Sequence, residues 1–123
     1  MLPKLLLISG RHVKMKHCIV QITPKALNDM EEIYNYISEH LLAPKSAMEL
    51  YNRIADAIEK LDVFPERMKI MQSEPEHSME LRHMIVDKYS VFYVIKDEYV
   101  IVTRILYGAS DISKRLLENN DYI

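Results

Sequence analysis

Apolar residues recur at helical spacing in two neighbouring stretches of the chain. In the first stretch they return every three or four residues, at Ala26, Met30, Ile33, Ile37 and Leu41. In the second stretch the same spacing joins Ala47, Leu50, Ile54, Ala57 or Ile58, and Leu61. Such stripes predict two amphipathic helices. The short connection between them predicts that the helices form an antiparallel hairpin.

Residues at the ends of these stripes predict where the helices begin and stop. Thr23 precedes Pro24, which suits a capping hydroxyl followed by proline in the first helical turn. Pro44 is expected to begin the second helix and Pro65 to stop it. The acidic residues of the first helix fall largely off its stripe and are interpreted as a solvated face: Asp29, Glu31, Glu32 and Glu39.

Strand patterns lie on both sides of the two helices. Lys16–Thr23 alternates in polarity, which predicts a first strand. Further strands are predicted, in chain order, over Lys69–Gln72, Met79–Val86, Tyr89–Lys96 and Tyr99–Tyr107. Asp87-Lys88 and Asp97-Glu98 separate the last three strands and are short enough only for hairpin turns. These three strands should therefore pair as an antiparallel meander.

The order of elements, β-α-α-β-β-β, predicts an α+β fold. Neither helix can bury its stripe alone, so the helical hairpin should pack on an antiparallel sheet of four to five strands. A short C-terminal helix is expected over Ile112–Leu117, with Asp111 as its cap. Met15 resembles an alternative start, so residues 1–14 are interpreted as an appendage and residues 15–123 as the domain.

The composition limits the class of protein. A chain of 123 residues suffices for one domain, and 49% hydrophobic with 28% charged residues is typical of a globular one. The single cysteine, Cys18, excludes a disulfide framework or a Cys-rich metal site within one chain and suits the cytoplasm. The apolar run near the N-terminus is too short for a membrane span.

The body of the chain is acidic. The whole chain has 16 Lys and Arg against 18 Asp and Glu, a net charge of −2, yet residues 1–16 hold four cations and no acid. The remainder, from His17 onward, therefore carries −6. This charge argues against broad binding of nucleic acid, because such binding depends on neutralising phosphates.

Four features taken together resemble a known family. They are the β-α-α-β-β-β order, FPE after the second helix, ELRHMIVDKYSVFYVI at residues 80–95 and VTRILYGASDI at residues 102–112. On these features the body of the chain resembles the RelE/ParE family of bacterial toxins. The resemblance implies a growth-inhibiting toxin, associated with plasmid stabilisation, that a cognate antitoxin neutralises. It implies no cofactor or metal, and contact with operator DNA only through the antitoxin.

The resemblance leaves two activities open. Ribosome-dependent members cut mRNA without metal by driving the 2′-hydroxyl onto the adjacent phosphate, whereas ParE-like members bind and inhibit DNA gyrase. Ribonuclease members often carry arginine at the positions that match Ser90 and Ser110, and serine cannot grip phosphate as a guanidinium does. The interpretation therefore leans to a gyrase inhibitor. A metal-independent mRNA endoribonuclease and a non-toxic, toxin-derived protein-binding module are the alternatives.

Three residues are predicted to form the functional site, and they would be the catalytic residues of a ribonuclease: Arg82, Arg104 and Tyr107. Arg82 is expected on the uncovered face of the sheet, contacting phosphate or a partner's carboxylate. The alternatives are an ordinary exposed strand arginine or one that fixes a neighbouring loop through a salt bridge. The next residue, His83, points to the opposite face, which favours a structural role.

The other two candidates lie on the last predicted strand. Arg104 interrupts apolar neighbours and must either reach the sheet edge or be paired. By strand alternation it shares a face with Val102 and Leu106 rather than with Ile105. Tyr107 could donate a proton or stack on a base, or else cap the core. The glycine that follows it, Gly108, suggests backbone with positive φ.

Overall fold

A computed structural model describes residues 17–108. Over this range the fold is α+β, with the predicted order β1-α1-α2-β2-β3-β4. The elements are β1 Ile19–Ile22, α1 Pro24–Asn35, α2 Pro44–Glu59, β2 Arg82–Val86, β3 Tyr89–Lys96 and β4 Tyr99–Tyr107. The expected C-terminal helix over Ile112–Leu117 and the appendage of residues 1–14 lie outside the described residues.

Both helices begin where the sequence predicts. Thr23 is the N-cap of α1, and its Oγ1 accepts a hydrogen bond from the Ala26 N–H at 3.1 Å. Pro24 and Pro44 are the first residues of α1 and α2. A π-helical turn, Tyr36–His40, extends α1. None of the helices between residues 17 and 108 is long and apolar enough to cross a membrane.

The sheet is mixed, so the prediction of a purely antiparallel sheet is wrong. β2, β3 and β4 form the predicted antiparallel meander. β1, however, pairs in parallel with β4, with Ile19 opposite Tyr99 and Ile22 opposite Val102, and the strand order is β1-β4-β3-β2. An apolar pattern identifies a strand but does not say which edge the strand joins or in which direction.

The strand predicted over Lys69–Gln72 reduces to one isolated bridge between Ile70 and Arg82. Beside this bridge, the Met71 N–H donates to the Leu81 carbonyl oxygen at 2.8 Å. A polar segment then connects this part of the chain to β2, whose first residue, Arg82, is the other half of the bridge. The sheet of the described residues therefore has four strands.

Apolar side chains pack against both faces of the sheet. The larger cluster lies between the sheet and the helical hairpin and includes Ile54, Ile58, Val91, Tyr93 and Val102. Because neighbouring strand residues point to opposite faces, Phe92 lies on the other side, where it packs with Leu81 and Leu106. The apolar stripes of the two helices are thus buried against the sheet, as predicted.

A β-bulge interrupts the pairing of β3 with β4. Phe92 lies opposite Arg104 while Tyr93 lies opposite Val102, so Thr103 is the extra residue. The bulge shifts the alternation along β4, and Val102 and Ile105 both enter the cluster on the helix side. The prediction that these two residues occupy different faces is therefore wrong, because it assumed a regular strand.

Candidate functional site

A groove of about 1160 Å³ opens between the helical hairpin and the adjoining ends of β3 and β4. Its lining includes Ile33, Tyr36, Leu41 and Leu50 from the helical side, and Tyr89 and Tyr107 from the strands. The β2–β3 turn, Asp87-Lys88, also contributes to the lining. We refer to this feature as the hairpin groove.

Large apolar side chains are exposed around the hairpin groove. The exposed fractions are 54% for Tyr36, 56% for Leu41 and 62% for Tyr107. Clustered exposed apolar residues of this kind are typical of a surface that another molecule covers. Two of the three come from the segment that contains the π-helical turn, an irregularity that is frequent at functional sites.

Tyrosine hydroxyls accompany the apolar residues of the groove. Tyr107 lies opposite Tyr89 in the sheet, and their rings meet edge to face at 5.3 Å. Burial raises the pKa of the Tyr89 hydroxyl, and the nearby Tyr107, Tyr36 and Asp87 raise that pKa further. Tyr89 therefore keeps its proton at neutral pH and can donate a hydrogen bond to a molecule in the groove.

An ion pair joins α2 to the β2–β3 turn at the groove. The Arg53 Nε donates to the Asp87 Oδ2 at 3.0 Å, and both side chains are about half exposed. An exposed pair of this kind contributes little to stability. Its position allows it to hold the β2–β3 turn against the helix that forms the opposite wall.

Asp29 is buried, so the prediction that it belongs to a solvated face is wrong. Its carboxylate accepts hydrogen bonds from Arg104 Nε at 2.8 Å and Arg104 Nη2 at 3.0 Å. Asp29 follows Ala26 by three residues and precedes Ile33 by four, so helical geometry places it on the buried stripe. That spacing, together with an arginine in an apolar strand, was the signal in the sequence for this pair.

The same carboxylate closes the edge of β4 beyond the end of β1. β1 pairs with β4 only as far as Val102. Beyond that point the Thr23 Oγ1 donates to the Thr103 carbonyl oxygen at 3.2 Å, and the Ile105 N–H donates to the Asp29 Oδ2 at 2.9 Å. Side chains from the start of α1 thus replace a strand partner and position the part of β4 that enters the groove.

Arg82 holds a neighbouring loop, but through backbone carbonyls rather than through the salt bridge that one interpretation expected. Its Nη1 donates to the carbonyl oxygens of Met68 at 2.6 Å and Glu66 at 3.3 Å. Arg82 lies opposite Tyr93, which packs on the helix side of the sheet, and directly opposed residues share a face. Arg82 therefore lies on the helix side rather than on the uncovered face expected for it.

The structure does not bring Arg82, Arg104 and Tyr107 together. Arg82 and Tyr107 lie opposite Tyr93 and Tyr89 respectively, four residues or about 13 Å apart along β3. Arg104 is buried and paired with Asp29 of α1. Of the three, only Tyr107 lines the hairpin groove.

The remaining candidate positions support no phosphate or metal site among residues 17–108. Ser90 is buried opposite Leu106, and Ser110 lies outside the described residues. His83 meets the Phe92 ring at 5.7 Å on the other face of the sheet. No group of His, Cys, Asp and Glu side chains between residues 17 and 108 could hold a metal ion.

Sequence reasoning also missed Tyr36 as a groove residue. Tyr36 follows Ile33 by three residues and precedes the π-helical turn residue His40 by four, stacking on its ring at 5.3 Å. A tyrosine at helical spacing beside the apolar stripe was the available signal. The π-helical turn that exposes its ring has no comparable signature in the sequence.

Comparisons with known proteins agree on one family. The model of the ParE toxin of type II toxin-antitoxin system, parDE, matches residues 20–112. A solved structure described as the chromosomal ParDE TA system from P. aeruginosa matches with a TM-score of 0.64 and 16% sequence identity. The match covers 76% of this chain and 99% of that one, and at this identity it shows the fold alone. No curated protein is similar enough to count as a match.

Proposed function

Because the chain belongs to the ParE toxin family of type II toxin–antitoxin systems, we propose that it arrests bacterial growth in the cytoplasm by binding DNA gyrase. The family implies an antitoxin partner, and we propose that the hairpin groove receives part of that antitoxin. The proposal that the groove binds a protein rests on the exposed apolar side chains around it: Tyr36, Leu41 and Tyr107.

The charges of the groove favour a particular kind of antitoxin segment. Residues 17–108 hold ten Lys and Arg against fifteen Asp and Glu, a net charge of −5. Within the groove, Arg53 is paired with Asp87, Lys88 lies on the β2–β3 turn, and Glu32 lies on the helical wall. A segment with an apolar side and a cationic residue near Glu32 would match this surface.

Protein binding is better supported than RNA cleavage. Cleavage without metal needs fixed positive charge on the phosphorane, yet the Arg104 guanidinium is committed to Asp29 and Arg82 Nη1 to backbone carbonyls. Ser90 offers no guanidinium. An mRNA endoribonuclease would have to release these arginines, so it is the weaker alternative.

Growth and supercoiling measurements test the proposal together. Induction of the protein alone should stop colony formation, and induction with the adjacent reading frame should restore it. Purified protein should inhibit supercoiling of relaxed plasmid by DNA gyrase, while mRNA in a translating extract stays intact. Message cut at the ribosome would favour the endoribonuclease, and normal growth would leave only a non-toxic protein-binding module.

A further inference from the structure

Phe64 is an exposed aromatic residue in a backbone conformation that aromatic residues avoid. Its φ of 54° and ψ of 53° lie in the left-handed region, and its side chain is among the exposed large hydrophobic ones, with 57% of the residue accessible. A bulky residue adopts this region only at a cost in conformational energy. Such strain persists only where the surroundings enforce it, and it is concentrated at functional sites.

Side chains enforce this conformation from two directions. The Arg67 Nη1 donates to the carbonyl oxygens of Val63 at 2.8 Å and Phe64 at 3.1 Å. The buried Tyr93 hydroxyl donates to the Pro65 carbonyl oxygen at 2.7 Å. Three successive carbonyl groups around the strained residue are therefore held by side chains.

Arg82 completes the restraint. It donates to the carbonyl oxygens of Glu66 and Met68. Among the described residues, Arg67 is then the one position in Val63–Met68 whose carbonyl has no side-chain donor. We call Val63–Met68 the Phe64 loop. Three side chains thus hold five of its six carbonyl groups, a restraint far beyond what a simple connection between α2 and β2 requires.

We propose that this toxin binds its protein target through the Phe64 loop, and that the Phe64 ring enters an apolar pocket of that target. This inference rests on the proposed function. An aromatic ring held in place before binding loses little conformational entropy when it is buried, which is the property of a binding hot spot. The loop's restraints supply that preorganisation without any contribution from the partner.

A protein target fits the loop better than a nucleic acid. An aromatic residue that stacks on a base normally has cations beside it for the phosphates. Here Arg67 and Arg82 direct guanidinium donors towards the loop's own carbonyls, and the exposed Glu66 adds negative charge. The loop's exposed cation, Arg67, already donates to the loop's own carbonyls, and the exposed Lys60 and Lys69 lie outside the loop on either side.

The Phe64 loop is separate from the hairpin groove. The loop contacts Tyr93 and Arg82, whereas the groove is lined by Tyr89 and Tyr107. No residue of the loop lines the groove in the described part of the chain. Changes at Phe64 should therefore alter target binding without altering the groove.

The test compares Phe64→Ala and Phe64→Gly with a matched control, Ile85→Ala. Ile85 is also a large exposed apolar residue, at 60% accessible, but it lies on β2. Each purified variant is titrated into a supercoiling reaction with DNA gyrase and relaxed plasmid, and is induced in cells. Both Phe64 variants should lose about tenfold or more in inhibitory potency, and Ile85→Ala should match the unchanged protein.

Thermal unfolding, followed by circular dichroism, separates a loss of binding from a loss of stability. Phe64→Gly should melt above Phe64→Ala, because glycine adopts a φ of 54° without the cost that alanine pays. The loss of potency should be the same in both, since both lack the ring. Potency that instead follows melting temperature would overturn the proposal by showing that only folding had changed.

Three further outcomes are decisive. Gyrase inhibition and growth arrest by Phe64→Ala at the level of the unchanged protein would overturn the Phe64 proposal alone. Weaker binding of Phe64→Ala to a labelled single-stranded RNA oligonucleotide, with gyrase inhibition intact, would assign the ring to nucleic acid and also overturn it. Failure of the unchanged protein to arrest growth or inhibit gyrase would remove the proposed function, and this inference with it.

Discussion

Asp29 accepts three hydrogen bonds that join α1 to β4, so its replacement should strongly destabilise the folded protein. Asp29→Ala leaves the buried Arg104 without its carboxylate and the Ile105 N–H without its acceptor. Breaking one side of a buried pair costs about 3–5 kcal/mol. The free energy of unfolding from urea titration should fall by that amount.

The matched controls for this prediction are on the same helix and in the same pair. Glu31→Ala, at an exposed position of α1, should change the free energy of unfolding by no more than about 0.5 kcal/mol. Replacing both partners, in Asp29→Leu with Arg104→Met, should recover part of the loss because no charge is then buried unpaired. Equal effects of Asp29→Ala and Glu31→Ala would contradict this account of the pair.

Arg82 is predicted to be needed for toxicity, and its contacts now suggest the reason. Arg82→Ala removes the donor for the Glu66 and Met68 carbonyl oxygens and should release the Phe64 loop. Growth arrest should be lost while the far-ultraviolet circular dichroism spectrum stays that of the folded protein, with about 1–3 kcal/mol of stability lost. Full toxicity in this variant would reject Arg82 as a site residue.

Tyr93 should make the stability of the folded protein decrease at alkaline pH. Burial raises the pKa of its hydroxyl from 10.0 to about 12, so the folded protein holds this proton more tightly than the unfolded chain does. The resulting stability is complete below pH 10 and is lost as the pH rises towards about 12.

Tyr93→Phe is the control that isolates this titration. It removes the hydrogen bond to Pro65 and should lower the melting temperature at pH 7. Its further decrease between pH 9 and pH 11 should be smaller than that of the unchanged protein, in experiments that span those values. Parallel decreases in the two proteins would show that Tyr93 does not titrate as described.

At the level of elements, the two hairpin turns use aspartate where the backbone favours glycine. Asp97 begins the β3–β4 turn with a φ of 57°. Asp97→Gly should therefore raise the free energy of unfolding by up to about 1 kcal/mol, because glycine adopts positive φ without steric cost. Glu98→Gly, at the next position, should lower it, since that residue has no positive φ to relieve. Equal losses in thermal melts of both variants would contradict the turn geometry.

Local chemistry predicts the elements better than it predicts their partners. Thr23 and Pro24 mark the start of α1 through a hydrogen bond that spans only three residues, and Gly108 has the positive φ expected of it, 68°. The parallel pairing of β1 and the bulge at Thr103 depend on contacts between distant parts of the chain. No stretch of a few residues contains that information, so the sequence alone did not reveal that Val102 and Ile105 share a face or that Arg104 pairs with Asp29.

For the whole molecule, the boundary of the domain remains a prediction. Residues 1–14 are expected to be dispensable, because the domain is predicted to begin at Met15 and the first described strand begins at Ile19. A variant that begins at Met15 should melt within about 2 °C of the full chain, a shift well below that of a 1 kcal/mol change. A large decrease would show that the N-terminal segment contributes to the fold.

The whole molecule presents two surfaces at different places on one sheet. The hairpin groove lies where β3 and β4 meet the helices at Tyr89 and Tyr107, and the Phe64 loop lies beneath Tyr93. The two proposals place the antitoxin on one of these surfaces and the target on the other. Variants of either surface should therefore separate neutralisation from toxicity.

The parallel pairing of β1 with β4 has a consequence for the protein's synthesis. Ile19 pairs with Tyr99, which is synthesised eighty positions later. At a translation rate of roughly 5–20 residues per second, that delay is about 4–16 seconds. During this interval the nascent polypeptide lacks the last strand of its sheet. A chain released within this interval would lack the strand with which β1 pairs and the Tyr107 wall of the hairpin groove.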